Sequence, residues 1–144
     1  MKVSDLIGYR KNVYSIPDSF SVLDAAKYLR EKKVRSVGVV DEQGRLVGVI
    51  SHADISDKVA AENKCPAWMK ASEIMSTGLL TVSPEAGIDE CLKLMEQNSV
   101  YHLLVIGEEN RYLGMVSVSD MLRVIASDQK ARADLLESYM FPSR

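Results

Sequence analysis

Residues 37–55, VGVVDEQGRLVGVISHADI, have a counterpart in residues 103–121, LLVIGEENRYLGMVSVSDM, which begin 66 positions further along the chain. In both stretches, two short apolar runs are separated by a polar turn and followed by Ser-x-x-Asp. Short β-branched apolar runs on either side of such a turn are typical of an antiparallel hairpin. The sequence therefore predicts the same hairpin twice.

The repeat also extends upstream of the hairpins. A shift of 66 positions aligns residues 13–55 with 79–121 without a gap. A short strand is expected in NVYSI (12–16) and again in GLLTV (78–82), and each is followed by an amphipathic helix. Ser21, three positions before Asp24, predicts an N-cap for the first helix. The apolar stripes fall at the same positions in the two copies: Val22, Ala25, Ala26 and Leu29, then Ile88, Cys91, Leu92 and Met95, with Cys91 expected to be a small buried residue.

Each half of the chain thus reads as a β-α-β-β-α unit. One such unit has too thin a sheet to be stable alone, so two units are expected to pack together with pseudo-twofold symmetry in an α/β (α+β) fold. The predicted organisation is a first repeat over 1–62, a linker over 63–71, a second repeat over 72–126, and a C-terminal helix and tail over 127–144. The segment KASEIMST (70–77) is expected to re-enter the second repeat.

Composition narrows the classes of function. The net charge is −2 and no dense basic block occurs, so nucleic-acid binding is not expected. The two cysteines and two histidines lack metal-type spacing, and no apolar run approaches a membrane span. These features predict a cytoplasmic protein with reduced thiols, no metal site and no membrane partner. The chain lacks the phosphate-binding-loop and G-x-S-x-G signatures, so an enzyme is not predicted.

The repeated Ser-x-x-Asp has two interpretations. It can be a helix cap, in which the serine side chain accepts a backbone N–H and the carboxylate favours the positive end of the helix. The same geometry suits a ligand, because a helix N-terminus attracts anions and an ionised aspartate can accept two hydrogen bonds from a ribose diol. The candidate residues are Ser51 and Asp54 in the first copy, and Ser117 and Asp120 in the second.

The chain resembles the tandem CBS-domain pair, or Bateman module. The resemblance rests on YSIPDSFSVLDAAKYL, VRSVGVVDEQGRLVGVISHADI, SEIMSTGLLTVSPEAGIDECLKLM and YHLLVIGEENRYLGMVSVSDM, and it covers residues 1–125. It implies the β-α-β-β-α fold and an adenosyl ligand in clefts between the copies. It also implies that Asp54 and Asp120 bind ribose hydroxyls, with Ser51 and Ser117 beside the ribose and phosphate.

The resemblance implies further contacts to the ligand. Many family members carry a basic residue inside the Ser-x-x-Asp, whereas this chain has His52-Ala53 and Val118-Ser119. Weaker recognition of a triphosphate is therefore expected, because charged hydrogen bonds contribute about 1.5–3 kcal/mol each. His102 can also be interpreted as a strand residue satisfied by local hydrogen bonds. The phosphate candidates are Arg35, His102, Tyr101 and His52, and the adenine-pocket candidates are Asn12, Val13, Val34, Gly78, Leu79 and Val100.

The function implied is a regulatory module that senses an adenosyl nucleotide of the AMP, ADP or ATP class, with no cofactor required. Two alternatives stay open: a ligand-free scaffold for homo- or hetero-oligomers, and a binder of S-adenosylmethionine or NAD. The family also implies a homodimer, and the absence of a fused effector suggests a separate target protein. The apolar end of the tail (Tyr139, Met140 and Phe141) is predicted to cross to the neighbouring protomer.

Overall fold

The computed structural model of the protein describes residues 2–7 and 13–140, and in the last helix the side chains of 131, 132 and 134–140 are outside the description. Two of the residues predicted above, Asn12 and Phe141, lie outside the described residues, as do the side chains of Tyr139 and Met140. The strands are β1 (Ser15–Pro17), β2 (Ser36–Val40), β3 (Leu46–Ser51), β4 (Thr81–Val82), β5 (His102–Ile106) and β6 (Tyr112–Ser117). The α-helices are α1 (Val3–Ile7), α2 (Val22–Lys32), α3 (His52–Ile55), α4 (Ala71–Ile74), α5 (Ile88–Asn98) and α6 (Val118–Met140).

The strands form two three-stranded sheets with the same topology, ordered β1-β2-β3 and β4-β5-β6. In each sheet the first strand runs parallel to the second, and the second pairs antiparallel with the third. The two predicted hairpins are therefore confirmed, and each receives one further strand from upstream of its helix. The repeated β-α-β-β-α architecture is confirmed as well.

The predicted helices α2 and α5 begin and end at equivalent positions. Ser21 caps α2, accepting a hydrogen bond from the Asp24 amide at 3.0 Å. Both helices end at a residue in the left-handed conformation, Lys33 with φ 58° and Ser99 with φ 54°, which allows the last carbonyls to be bonded. Cys91 is fully buried in the second core, as its position in the apolar stripe predicts.

The two short helices α1 and α4 cross between the units. Val3 of α1 is fully buried in the core of the second sheet, where its amide donates to the Ala86 carbonyl at 2.9 Å. Ala71 and Ile74 of α4 are buried in the core of the first sheet. The segment KASEIMST leads into the second repeat along the chain, while the apolar face of its helix α4 packs in the core of the first unit.

The two sheets meet through β2 and β6. The Tyr112 ring lies against Gly38, and Ser36 Oγ donates to the Met115 sulfur at 3.5 Å. At the hairpin tips, the Tyr112 amide donates to the Gly44 carbonyl at 3.1 Å. The contact places the beginning of β2 beside the end of β6. Within the described ranges, no helix is long and apolar enough to span a bilayer.

Candidate functional site

Both Ser-x-x-Asp segments form helix caps. The Ser51 amide donates to Asp54 Oδ2 at 2.9 Å, and the Asp54 amide donates back to Ser51 Oγ at 3.2 Å. The second copy repeats this geometry, with the Ser117 amide 2.9 Å from Asp120 Oδ2 and the Asp120 amide 3.1 Å from Ser117 Oγ. The cap interpretation is therefore confirmed in both copies, and each carboxylate is fixed at a helix N-terminus.

A cavity of about 420 Å³ lies at the second of these caps, between the two units. The first unit contributes the residues just before β1 and β2 and the first residue of β2, and the second unit contributes His102 of β5 and residues of β6 with its cap. The lining residues are Val13, Tyr14, Val34, Arg35, Ser36, His102, Tyr112, Gly114, Met115, Ser117 and Asp120.

Six of the predicted site residues line this cavity: Val13, Val34, Arg35, His102, Ser117 and Asp120. They come from both repeats, so that Arg35 of the first copy and Asp120 of the second copy line the same cavity. Seven other predicted residues that the structure describes do not line the cavity: Ser51, His52, Asp54, Gly78, Leu79, Val100 and Tyr101. Tyr101 is 74% exposed, so its side chain points to solvent although its neighbour His102 lines the cavity.

Sequence reasoning missed Tyr14, Ser36, Tyr112, Gly114 and Met115. Tyr14 and Ser36 directly follow predicted residues, so wider windows around Val13 and Arg35 would have included them. The residues of β6 were not predicted because the repeat does not show which strand of one copy faces the other copy.

The cavity combines an apolar floor with a few polar groups. The Tyr14 ring packs against the Tyr28 ring, whose centroid lies 6.4 Å away in an edge-on arrangement. Lys32 Nζ lies 5.7 Å from the centroid of both rings, a distance at which cation–π attraction acts. His102 of β5 pairs across the strands with Ser117 of β6, and both residues line the cavity. Such a site suits a flat, largely apolar group attached to a polyhydroxylated, anionic one.

The first cap is in different surroundings. Asp54 is 8% exposed, and its Oδ1 accepts from Ser76 Oγ at 3.2 Å and pairs with Lys58 Nζ at 3.0 Å. Ser51 Oγ also donates to Asp54 Oδ2 at 3.1 Å. Both copies of the motif thus form the same cap, and in the first copy Ser76 and Lys58 also reach the carboxylate.

Two groups that do not line the cavity, Cys91 and Asp41, have shifted pKa values. Burial raises the pKa of the Cys91 thiol, with the nearby Glu90 adding to the effect, so this cysteine stays protonated. A hydrogen bond from the Arg45 amide lowers the pKa of Asp41 in the hairpin turn. In the part of the chain that the structure describes, no group of three or more His, Cys, Asp or Glu side chains is placed to hold a metal ion.

The profile of the CBS domain matches residues 3–61 and 71–127. The chain belongs to the CBS-domain family. Its two matched regions correspond to the two β-α-β-β-α units, with the short crossing helices α1 and α4 at their beginnings.

Curated relatives resemble the chain over most of its length. It is 36% identical over 115 residues to homoserine O-acetyltransferase of Methanococcoides burtonii, which covers 80% of this chain and 22% of the relative. It is 30% identical over 116 residues to the uncharacterized protein MJ1232 of Methanocaldococcus jannaschii, covering 81% and 37%. The chain spans at most 59% of the length of these first curated relatives.

A solved structure shows the same fold. The CBS domain pair of protein MJ0100, in complex with 5′-methylthioadenosine and S-adenosyl-L-methionine, superposes with a TM-score of 0.74 at 27% identity. The match covers 89% of this chain and 98% of that one. The two CBS units of this chain therefore share their fold with a CBS domain pair that was crystallised with two adenosyl ligands.

Proposed function

We propose that this CBS pair is a regulatory module that binds an adenosyl ligand in the cavity between its two units and signals by changing conformation or association. The observation that carries the proposal is the cavity itself. Its volume of about 420 Å³ lies within the range of small-molecule sites, roughly 300–1,000 Å³. It also gathers the helix cap of one unit and a guanidinium of the other. The complex of protein MJ0100 with two adenosyl compounds supports this class of ligand.

The lining suggests a role for each group. The Asp120 carboxylate, fixed by the cap with Ser117, is proposed to accept hydrogen bonds from ribose hydroxyls. Val13, Val34 and the Tyr14 ring offer apolar surface to the adenine. Arg35 approaches from the other unit and is proposed to pair with the anionic group.

The charge of the lining favours a ligand with a small negative charge. Among the lining residues that the structure describes, Arg35 is the one side chain with a permanent positive charge. The residues inside the motif, Val118 and Ser119, add none. A second or third phosphate would therefore gain little from these described lining residues, and on that basis AMP is expected to bind at least as tightly as ATP.

Regulation follows from the two-sided lining. A ligand that touches Arg35 of one unit and Asp120 of the other stabilises the arrangement in which both contacts are made. It shifts the population by no more than its differential affinity for the alternative arrangements. We propose a non-catalytic role, in which a separate target protein responds to this shift.

Isothermal titration with AMP, ADP, ATP, NAD and S-adenosylmethionine tests the proposal. We expect micromolar binding of at least one of them, reduced by roughly tenfold or more in Asp120→Asn, because a charge-assisted hydrogen bond is worth about 1.5–3 kcal/mol. Arg35→Gln should weaken AMP and leave adenosine unchanged. Asp89→Asn, an exposed aspartate on α5, is the matched control and should bind as the unmodified chain does.

The pattern of binding identifies the ligand class. Preference for S-adenosylmethionine or NAD over AMP would favour the alternative adenosyl ligands. No heat with any of these compounds, from a folded protein, would contradict the proposal and favour a ligand-free scaffold that mediates oligomerisation.

A further inference from the structure

We infer that the cleft at Asp54 is closed by the chain's own residues 74–76, which take the position of a ligand, so that the protein binds one adenosyl ligand per chain and not two. The count of one rests on the proposed function, whereas the closure rests on the structure of the first unit alone.

The Asp54 carboxylate has no acceptor capacity left. A carboxylate offers about four lone-pair positions. Four donors fill them: the Ser51 amide and hydroxyl reach Oδ2 at 2.9 and 3.1 Å, while Ser76 Oγ and Lys58 Nζ reach Oδ1 at 3.2 and 3.0 Å. The Ser76 hydroxyl donates as a ribose hydroxyl would. A diol could bind Asp54 only after Ser76 and Lys58 had left.

The glycine beside the cap is covered as well. Gly48 of β3 corresponds by the 66-residue shift to Gly114 of β6, which lines the cavity of the second copy. In the first copy the Met75 side chain lies directly on Gly48, so close that even a methyl group there would collide with it. The Met75 thioether thus fills the space above Gly48. At the equivalent position of the second copy, Gly114 lines the cavity.

The closing segment is held by its main chain. The amides and carbonyls of Val49 and Ser76 are bonded to each other in both directions, at 3.0 and 2.8 Å. Lys58 Nζ also donates to the Ile74 carbonyl at 2.9 Å, so one ammonium group ties the linker and the carboxylate together. Ser76 is at the surface and Asp54 lies beneath it.

The lysine is specific to the first copy. The 66-residue shift places Val124 at the position of Lys58, and Val124 packs against the second core. A valine cannot donate to a carboxylate, so Val124 cannot take the role of Lys58 in the second copy. The counterparts of residues 74–78 are residues 8–12, which lie outside the described residues.

Hydrogen exchange tests the closure without any ligand. The Val49 and Ser76 amides should be protected in the unmodified chain. Lys58→Val, which gives the first copy the residue of the second, should speed exchange at Ser76 by about tenfold, since it removes charge-assisted bonds to two partners. Lys93→Val, at an exposed position on α5 of the second unit, is the control and should leave the protection unchanged. Unprotected Ser76 in the unmodified chain, or protection that Lys58→Val does not alter, would overturn the closure.

Titration with AMP tests the count. We expect one AMP per chain, with Asp54→Asn changing Kd by less than twofold and Asp120→Asn weakening it by tenfold or more. Two AMP per chain, or equal losses in the two variants, would overturn the inference. If AMP and the other adenosyl compounds fail to bind while Ser76 stays protected, the proposed function fails and the closure stands.

Discussion

At the scale of single residues, two glycines of the first unit accept side chains from elsewhere in the chain. Gly38 of β2 receives the ring of Tyr112, and Gly48 of β3 receives Met75. Neither glycine has a left-handed φ, so both are required by space and not by backbone conformation. The contact at Gly38 joins the two sheets and thereby sets the distance across the proposed ligand cavity.

Replacing Gly38 with alanine should therefore destabilise the protein. A Cβ there would lie 2.6 Å from Tyr112 Cε2, and overpacking of this kind costs about 1–3 kcal/mol. Urea unfolding measures the loss, and Gly78→Ala, where a Cβ meets no atom within 4 Å, is the control. Adding Tyr112→Ala to Gly38→Ala should relieve the clash. Equal effects of the two glycine substitutions would argue against close contact of the sheets.

The capping residues show how far residue-level prediction from sequence reaches. Ser51, Asp54, Ser117 and Asp120 could be placed at helix starts because the pattern is local and occurs twice. The additional partners of Asp54 could not. Lys58 is four residues away, where an ion pair is common but not diagnostic, and Ser76 reaches it only through a linker whose path depends on the tertiary fold.

At the scale of elements, the crossing helices α1 and α4 make each unit depend on chain from the other side of the molecule. Val3 lies in the second core, and Ala71 and Ile74 lie in the first. The two hairpins and the helices α2 and α5 could be predicted because the pattern of apolar residues in each lies within one contiguous segment. The crossing could not be predicted, since a four-residue helix such as α4 shows which face is apolar but not which core receives it.

Truncation of Ile74 to alanine measures this dependence. Ile74 is 2% exposed, and large-to-small changes at such positions cost about 2–5 kcal/mol. Leu122→Ala, at a position 55% exposed on α6, should change stability by less than about 0.5 kcal/mol. Hydrogen exchange locates the effect: amides of β1–β3 should lose protection first. Earlier loss in β4–β6 would show that α4 serves the second unit instead.

At the scale of the whole molecule, α6 extends beyond the core that it helps to build. It runs for 23 residues from Val118 to Met140. Every side chain described between residues 126 and 133 is exposed, whereas Met121 is fully buried. Short helices without tertiary contacts are marginally stable in water. We therefore expect this part of α6 to be stabilised by a packing partner, and the sequence that follows carries Leu135, Leu136, Tyr139 and Met140.

We expect this partner to be a second copy of the chain, because a twofold axis allows the same helix to pack on its equivalent. Deleting residues 129–144 should convert a dimer into a monomer in light scattering. AMP affinity should change by less than twofold, because the lining residues of the cavity all precede residue 121. Removing only 142–144 is the control and should leave the dimer intact. A dimer that survives the longer deletion would place the interface on another face, and a loss of AMP binding together with the dimer would mean that association itself completes the site.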